Sequence, residues 1–165
     1  MINIQQYRDY WIYEKIYDFI GFYPREFYCL DNFSSFKVNY QGVLYSSAEE
    51  AYQAQKFITT SSEIYELIKN SHSAHDAQKI ARENQHLQRD DWNKIKLNVM
   101  EEILTAKTNQ NPYVAKKLLQ TGDYLIVEDS PYDSYWDCGI EGNGKNHLGR
   151  LWMKIREQLK AESVK

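Results

Sequence analysis

The sequence predicts a mostly helical α+β fold, arranged as a single compact domain with a small β-sheet. Apolar residues recur at helical spacing through much of the chain after residue 46, and only a few short segments have the composition of strands. The length of 165 residues suits one domain, which can bury roughly 68–70% of the surface of the unfolded chain. We expect the domain to span residues 17–162, after an N-terminal extension of residues 1–16.

The strands are predicted from three segments. Residues 18–23 (DFIGFY) form a short β-rich run that a proline ends. Residues 36–47 (FKVNYQGVLYSS) alternate apolar and polar residues around Gln41 and Gly42, which is typical of a hairpin. Residues 124–129 (YLIVED) are predicted to form a buried strand.

Most of the remaining chain is predicted to be helical. Ser46 or Ser47 caps the first helix, which runs to about Phe57. Later helices are predicted over 62–69, over 74–84, from Asp90 or Asp91 onward, from Pro112 to a stop at Gly122, and from about Asn146 to the C-terminal end. Apolar stripes at helical spacing mark the core faces of the two longest: Trp92, Ile95, Val99 and Ile103 in one, and Leu148, Leu151, Trp152, Ile155 and Leu159 in the other.

Composition narrows the class of protein. The net charge of −3, from 20 basic and 23 acidic side chains, argues against a protein that holds nucleic acid by bulk charge, because that mode needs a basic face; a local basic pocket stays open. The 14 Tyr, 6 Phe and 4 Trp are either packing residues or members of a pocket that stacks a planar ring. The two cysteines lack metal-site spacing, and neither a signal peptide nor an apolar run of about 20 residues is present. These features predict a cytoplasmic protein.

The segment DCGIEGNGKNHLGR, residues 137–150, resembles a phosphate loop up to its last letter. Gly139, Gly144 and Lys145 fit G-x-x-x-x-G-K, but Asn146 replaces the hydroxyl that binds magnesium. The preceding strand also ends about ten residues too early, so a triphosphate site is excluded. Two interpretations stay open: a single-phosphate site at a helix start with free N–H groups, or an ordinary loop capped by Asn146.

The first helix places Glu49, Gln53 and Lys56 in one stripe roughly 10 Å long. The opposite stripe is apolar and contains Ala51, Ala54 and Ile58. The simpler interpretation of the polar stripe is a solvated helix face. The functional alternative is a carboxylate and an amine in one cleft, where partial drying lowers the proton affinity of the lysine and makes it a nucleophile.

The segment VEDSPYDSYWDCG, residues 127–139, follows the last predicted strand. Glu128 and Asp133 could divide acid and base chemistry at a sugar, and Trp136 could stack a base. The alternative is turn chemistry, with Asp133 bending the chain. The histidines show no metal-ligand pattern and are predicted to be surface or capping residues: His72, His75, His86 and His147.

Taken together, these segments resemble the NADAR family, also called YbiA-like proteins, over about residues 17–160. YSSAEEAYQAQKF is similar to the family pattern S-E-H-x-x-Q-A-x-K, with Glu49 and Lys56 matching. The turn DNF is similar to S-N-F, and Ala81-Arg82 stands where the family has Gly-Arg. LLQTGDYLIVEDSPYDSYWDCG and GNGKNHLGRLWMKIR are similar to L-L-x-T-G…L-V-E-x-S…D-x-x-W-G and to G-x-G-x-N-x-L-G-x-L-L-M-x-x-R.

The resemblance implies an N-glycosidase that cleaves the bond between ribose and an amine or base, without a metal or organic cofactor. It implies two substrate classes, phosphoribosylamino-pyrimidine intermediates of riboflavin synthesis and ADP-ribose attached to guanine in nucleic acid. The family chemistry is attack of a lysine on the anomeric carbon through a Schiff base. The implied catalytic residues are Lys56, Glu49, Asp133 and Glu128, and the implied substrate-binding residues are Trp136, Arg82, Asn32, Phe33, Gly144, Lys145 and Asn146.

The sequence departs from the family pattern in places. Glu50 stands where the family often has His, and Asp137-Cys138 replaces a common Gly-Asp, which adds a charge and a thiol near the implied site. A non-catalytic module that binds a nucleotide or ADP-ribose is therefore the alternative to an enzyme. The acidic charge balance favours a small-molecule substrate over nucleic acid.

Overall fold

A computed structural model describes residues 26–128, 133–139 and 144–163, and the backbone of residues 19–21. The predicted N-terminal extension, residues 1–16, lies outside this part of the chain. The chain divides into two compact units. The central unit comprises residues 32–114, and the terminal unit comprises the chain before and after it.

The described elements are mostly helical. The strands are β1 (Phe19–Gly21), β2 (Val38–Tyr40), β3 (Val43–Tyr45) and β4 (Leu125–Val127). The helices are α1 (Ala48–Gln55), α2 (Ser62–Lys69), α3 (Ala74–Glu83), α4 (Trp92–Gln110), α5 (Pro112–Gln120) and α6 (His147–Ser163), with short 3₁₀ helices at Tyr28–Leu30 and Gln85–Leu87.

Serine caps set the starts of the first three helices. The hydroxyls of Ser47, Ser61 and Ser73 each accept a hydrogen bond from the N–H three residues later. Glu50 adds a second hydrogen bond at this end of α1, because its Oε2 accepts from the N–H of Ser46, the residue before the cap, at 2.8 Å. The residue that departs from the family pattern therefore stabilises the start of the helix that carries Lys56.

In the central unit, β2 and β3 form the predicted antiparallel hairpin, and positive φ values at Gln41 (52°) and Gly42 (82°) make its turn. Helix α1 packs against α2, α3 and α4, and α4 also packs against β2. Every residue of α1 from Ala48 to Gln55 is buried. This burial places the polar stripe of α1 inside the unit.

In the terminal unit, β1 pairs in parallel with β4, with Ile20 opposite Ile126, and α6 packs against β4. Gly149 permits this packing, since a Cβ there would stand 2.1 Å from the Ile126 carbonyl oxygen. Trp152 of α6 is fully buried and donates from Nε1 to the Leu30 carbonyl at 2.9 Å. The packing fixes the start of α6 beside the end of β4.

Several boundary predictions needed correction. Helix α1 ends at Gln55 rather than near Phe57, and Ile58 is 41% exposed, so it is no member of an apolar stripe. The predicted stripe of α4 is core at Trp92 and Ile103, whereas Ile95 and Val99 are only half-buried. No helix in the described part of the chain combines the length and apolarity needed to cross a membrane.

Candidate active site

Lys56 lies at the C-terminal end of α1, on the faces of two aromatic rings. Its Nζ is 5.4 Å from the ring centre of Tyr52 and 5.8 Å from that of Trp92. The two rings are themselves 4.9 Å apart and tilted by 56°. The side chain is half-buried, and the aromatic faces stabilise its ammonium form while removing water from around it.

Burial lowers the pKa of the Lys56 ammonium below its usual range. The nearby Glu49 carboxylate opposes this shift, and the Lys96 ammonium adds to it. The burial effect is the largest of the three. A larger fraction of Lys56 is therefore the neutral amine near neutral pH than for an ordinary lysine, as a nucleophile requires.

Glu49 and Gln53 are 5% exposed each, so the solvated-face interpretation of the α1 stripe is wrong. Gln53 Nε2 donates to Glu49 Oε1 at 2.6 Å. Lys56 retains helical backbone angles (φ −64°, ψ −25°), so it continues the stripe one turn after Gln53. The structure thus brings Glu49, Gln53 and Lys56 together on one buried face.

A turn at residues 32–34 covers the start of α1. The Asn32 carbonyl accepts from the Glu49 N–H at 3.0 Å, and Asn32 Nδ2 lies 3.5 Å from Met100 Sδ. Lys107 is fully buried and donates from Nζ to Ser34 Oγ at 2.8 Å. Phe33 is half-buried, with its ring 4.7 Å from that of His75. Asn32 therefore lies directly beside Glu49.

Arg82 is exposed on α3, and its side chain makes no hydrogen bond or ion pair with any described residue. The guanidinium is thus available to an anion, and its expected role in phosphate binding stays a prediction.

The start of α6 differs from the expectation for the glycine loop. The N–H groups of residues 144–148 each donate to a backbone carbonyl of residues 134–138, at 2.7–3.3 Å. The premise that this helix start offers free N–H groups is therefore wrong. The tight approach requires Gly144, where a Cβ would stand 2.4 Å from the Asp137 carbonyl oxygen.

Asn146 is buried and joins α6 to β4. Its Nδ2 donates to the Ile126 carbonyl at 2.9 Å, and its Oδ1 accepts from the Glu128 N–H at 3.2 Å. Its φ of 49° is left-handed, which Asn tolerates better than most residues. Both side-chain bonds of Asn146 therefore go to the backbone at the end of β4 rather than to an N–H of α6, and its expected role at a phosphate stays a prediction.

Asp133 and Trp136 lie on the turn before this helix. Asp133 is exposed, and its Oδ1 accepts from the N–H groups of Tyr135 (2.6 Å) and Trp136 (3.0 Å), which is the turn chemistry of the alternative interpretation. Trp136 is half-buried and contacts Tyr135 edge-on at 5.1 Å. His147 is partly exposed at the start of α6, and its ring packs 4.4 Å from that of Tyr135. Glu128 is buried at the end of β4.

Two departures from the family pattern are buried in the terminal unit. Cys138 is fully buried and packs against Val127, and Asp137 is 5% exposed. In the part of the chain that the structure describes, no group of three His, Cys, Asp or Glu side chains could hold a metal ion.

A family model described as the NADAR domain matches residues 11–160. The chain belongs to the NADAR family of YbiA-like N-glycosidases. A protein named N-glycosidase from Nostoc punctiforme is 35% identical over 133 residues, covering 80% of this chain and 85% of the relative. A protein named riboflavin biosynthesis protein from Vibrio vulnificus is 38% identical over 130 residues, covering 79% of this chain but 35% of the relative.

The NMR structure of Escherichia coli YbiA matches with a TM-score of 0.82 and 32% identity, covering 93% of this chain and 92% of that chain. The YbiA protein of that organism is named an N-glycosidase. The likeness confirms the predicted mostly helical α+β fold with a small sheet.

The sequence does not predict two residues of this NADAR chain that the structure places beside the candidate site residues, Gln53 and Lys107. The sequence indicates Gln53 only as a member of the α1 stripe, although its position between Glu49 and Lys56 on that stripe is a signal that could have identified it. Lys107 has no local signal of its full burial, because its partner Ser34 lies 73 residues away in sequence.

Proposed function

We propose that this NADAR protein hydrolyses the N-glycosidic bond between ribose and an amine or base in a phosphate-bearing ribosylated heterocycle. The favoured substrate class is a free phosphoribosylamino-pyrimidine. The names of the relatives and the acidic charge balance support that class. The observation that carries the proposal is Lys56: a half-buried amine with a lowered pKa, held on two aromatic faces near a buried carboxylate.

The proposed reaction begins with attack of the neutral Lys56 amine on the anomeric carbon. The bond from this carbon to the leaving nitrogen breaks, and the nitrogen takes the electron pair and a proton. The ring oxygen then leaves the same carbon with a second proton, which produces a Schiff base with Lys56. Water adds to the Schiff base and releases the lysine and the sugar, so the net reaction consumes one water.

Glu49 is proposed to move protons between the lysine and the leaving nitrogen. Glu49 is buried, and the attraction of its carboxylate raises the pKa of Lys56, against the larger effect of burial. The hydrogen bond from Gln53 fixes the orientation of its carboxylate. A carboxyl group in such a place can serve as base when the amine attacks and as acid when the nitrogen leaves.

The other residues that the family resemblance implies are proposed to contribute to substrate affinity. Trp136 offers a half-buried indole for stacking a heterocycle, and Lys145 offers an exposed ammonium for a phosphate. Asp133 and Glu128 are proposed to bind ribose hydroxyls or to transfer protons. Arg82, Asn32 and Phe33 are proposed to contact the substrate. Gly144 and Asn146 are proposed to hold the Lys145 loop in position for the phosphate, through the backbone and side-chain bonds that they make.

Trapping of the Schiff base tests the proposal directly. The protein is incubated with 5-amino-6-ribosylaminouracil 5′-phosphate and a mild hydride reductant, and the intact mass and tryptic peptides are measured. We expect a stable sugar phosphate adduct on the peptide that carries Lys56, together with release of the pyrimidine. The Lys56→Arg variant keeps the charge but cannot form an imine, and it should show neither adduct nor release.

A parallel reaction with guanine-linked ADP-ribose in an oligonucleotide distinguishes the two substrate classes. Faster sugar release from the oligonucleotide would move the assignment to ADP-ribosylated nucleic acid. An adduct on any lysine other than Lys56 would contradict the proposed nucleophile. Tight binding of both compounds without release would favour a non-catalytic module.

A further inference from the structure

The hydrogen bonding of Gln53 determines which end of its side-chain amide is nitrogen and leaves the amide oxygen as a buried acceptor. Its Nε2 donates to the Glu49 carboxylate, and an ionised carboxylate only accepts hydrogen bonds. The amide therefore cannot be turned over, and Oε1 must point away from Glu49. Oε1 is buried and accepts no hydrogen bond from any described residue.

Asn32 presents a second acceptor of the same kind. Its Nδ2 faces the Met100 sulfur, and a thioether is an acceptor only, so this amide is also fixed. Its Oδ1 is buried and likewise lacks a donor in the described chain. Asn32 and Gln53 are 6% and 5% exposed, so neither oxygen has ready access to bulk water.

The two acceptors flank Glu49. The Asn32 backbone bonds the Glu49 N–H, and the Gln53 side chain bonds the Glu49 carboxylate. Buried carbonyl oxygens without donors are rare in proteins and lower stability, so a pair beside a perturbed lysine indicates a ligand that donates hydrogen bonds there. Gln53 lies three residues before Lys56 on the same helix face, which places this ligand near the amine.

We propose that Asn32 Oδ1 and Gln53 Oε1 accept hydrogen bonds from the C2 and C3 hydroxyls of the substrate ribose. Because each hydroxyl donates one hydrogen bond, this assignment leaves proton transfer, rather than hydroxyl binding, to Asp133 and Glu128. This inference rests on the proposed function, since it takes Lys56 as the group that attacks the anomeric carbon. The C2 hydroxyl is the donor next to that carbon, and the C3 hydroxyl follows it on the ring. The pair would make the enzyme selective for ribosyl over deoxyribosyl substrates.

Calorimetric binding to the full chain provides the test. The probes are methyl β-D-ribofuranoside 5-phosphate and its 2-deoxy and 3-deoxy counterparts. They are held in the ring form and present no free aldehyde with which Lys56 could form a Schiff base. We expect the wild type to bind the ribo compound about tenfold more tightly than either deoxy compound, because each missing hydroxyl leaves one buried acceptor unpaired.

Two substitutions test whether the preference for each hydroxyl depends on its proposed acceptor. Gln53→Met should remove the penalty for one missing hydroxyl and Asn32→Leu the penalty for the other. Gln55→Met is the matched control, because Gln55 is equally buried in α1 but donates to Tyr45. It should keep both penalties. Circular dichroism confirms that each variant is folded.

The outcomes separate this inference from the proposed function. Equal binding of the three probes, absence of binding, or retention of both penalties in Gln53→Met and Asn32→Leu would overturn the inference. An enzyme that releases sugar yet shows no hydroxyl preference would leave the proposed function intact. Conversely, a hydroxyl preference that depends on Gln53 and Asn32, without sugar release from any substrate, would support the binding inference and sink the catalytic proposal.

Discussion

The neighbourhood of Lys56 and the loop at the start of α6 use polar groups in opposite ways. Near Lys56, a half-buried amine has a lowered pKa, and two buried amide oxygens lack donors in the described chain. At the α6 loop, five successive N–H groups donate to backbone carbonyls, and the side chain of Asn146 makes two further bonds. The first region is organised for a ligand at some cost in stability, whereas the second is organised to hold a loop.

The comparison predicts that changes near Lys56 affect turnover, whereas changes at the α6 start affect folding. The largest expected effect is that of Lys56→Met on turnover. Removal of the nucleophile should lower kcat/KM by at least about 10³-fold, since Lys56 is the amine held on the faces of Tyr52 and Trp92. Initial rates of pyrimidine release measure the effect.

Lys79→Met is the control for this loss, because Lys79 is exposed on α3 and pairs only loosely with Glu83 at 4.0 Å. It should keep the wild-type rate. A Lys56→Met variant within tenfold of wild type would show that the lysine is not the nucleophile. The two regions would then no longer be distinguished by a catalytic role.

The second largest effect is expected for Gly149→Ala in the terminal unit. The new methyl group would stand 2.1 Å from the Ile126 carbonyl oxygen and 2.5 Å from Asn146 Oδ1. Helix α6 must move away from β4, so we expect a loss of about 3 kcal/mol in the free energy of unfolding. Urea denaturation measures it.

Gly42→Ala offers a comparison in which only the backbone angle is at issue. Gly42 has φ of 82°, and no atom lies within 4 Å of the position that the new methyl group would take, so the loss should be about 1–2 kcal/mol. If both alanine variants lost the same free energy, close packing of α6 on β4 would not be what Gly149 provides.

Much of the fold could be predicted from the sequence, because local signals determine it. Serine caps define α2 at residues 62–69 as predicted, and Gln41-Gly42 defines the hairpin turn. The burial and the hydrogen bonding of the site residues could not be predicted in the same way. A helical wheel shows that Glu49 and Gln53 share a face, but the turn at Asn32 that lies against it is distant in sequence.

The same limit explains the error at the glycine loop. Glycines before a helix permit close approach of any acceptor, whether a phosphate or another segment of backbone. Here the acceptors are carbonyls of residues 134–138, and no local pattern indicates that this turn folds back onto the helix start.

A smaller effect is expected in the pH dependence of stability. The pKa of Lys56 is lower in the folded protein than in the unfolded chain, so between these two values the unfolded chain binds more protons. Stability contributed by this group therefore rises with pH across that window, up to about pH 10.4. Lys56→Met removes this slope.

Urea denaturation of both proteins from about pH 7 to pH 10 provides the measurement. We expect Lys56→Met to be more stable than wild type at the low end, with the difference shrinking as pH rises. A difference that stays constant over this range would mean that burial does not disfavour the charged lysine, and the unusual state of the Lys56 neighbourhood would be in doubt.

The smallest expected effect is that of Lys145→Gln on substrate affinity. Lys145 is exposed, with Nζ 5.4 Å from the ring centre of Tyr135, so its attraction for a phosphate is screened by water and salt. We expect KM for the phosphorylated substrate to rise by about 3- to 10-fold with kcat unchanged, and the increase to fall at high salt.

Arg150→Gln is the control, because Arg150 is also an exposed cationic residue at the start of α6. The dephosphorylated substrate should show no difference between Lys145→Gln and wild type. An equal rise in KM for both substrates would assign Lys145 to loop structure instead, and the α6 start would then be structural throughout.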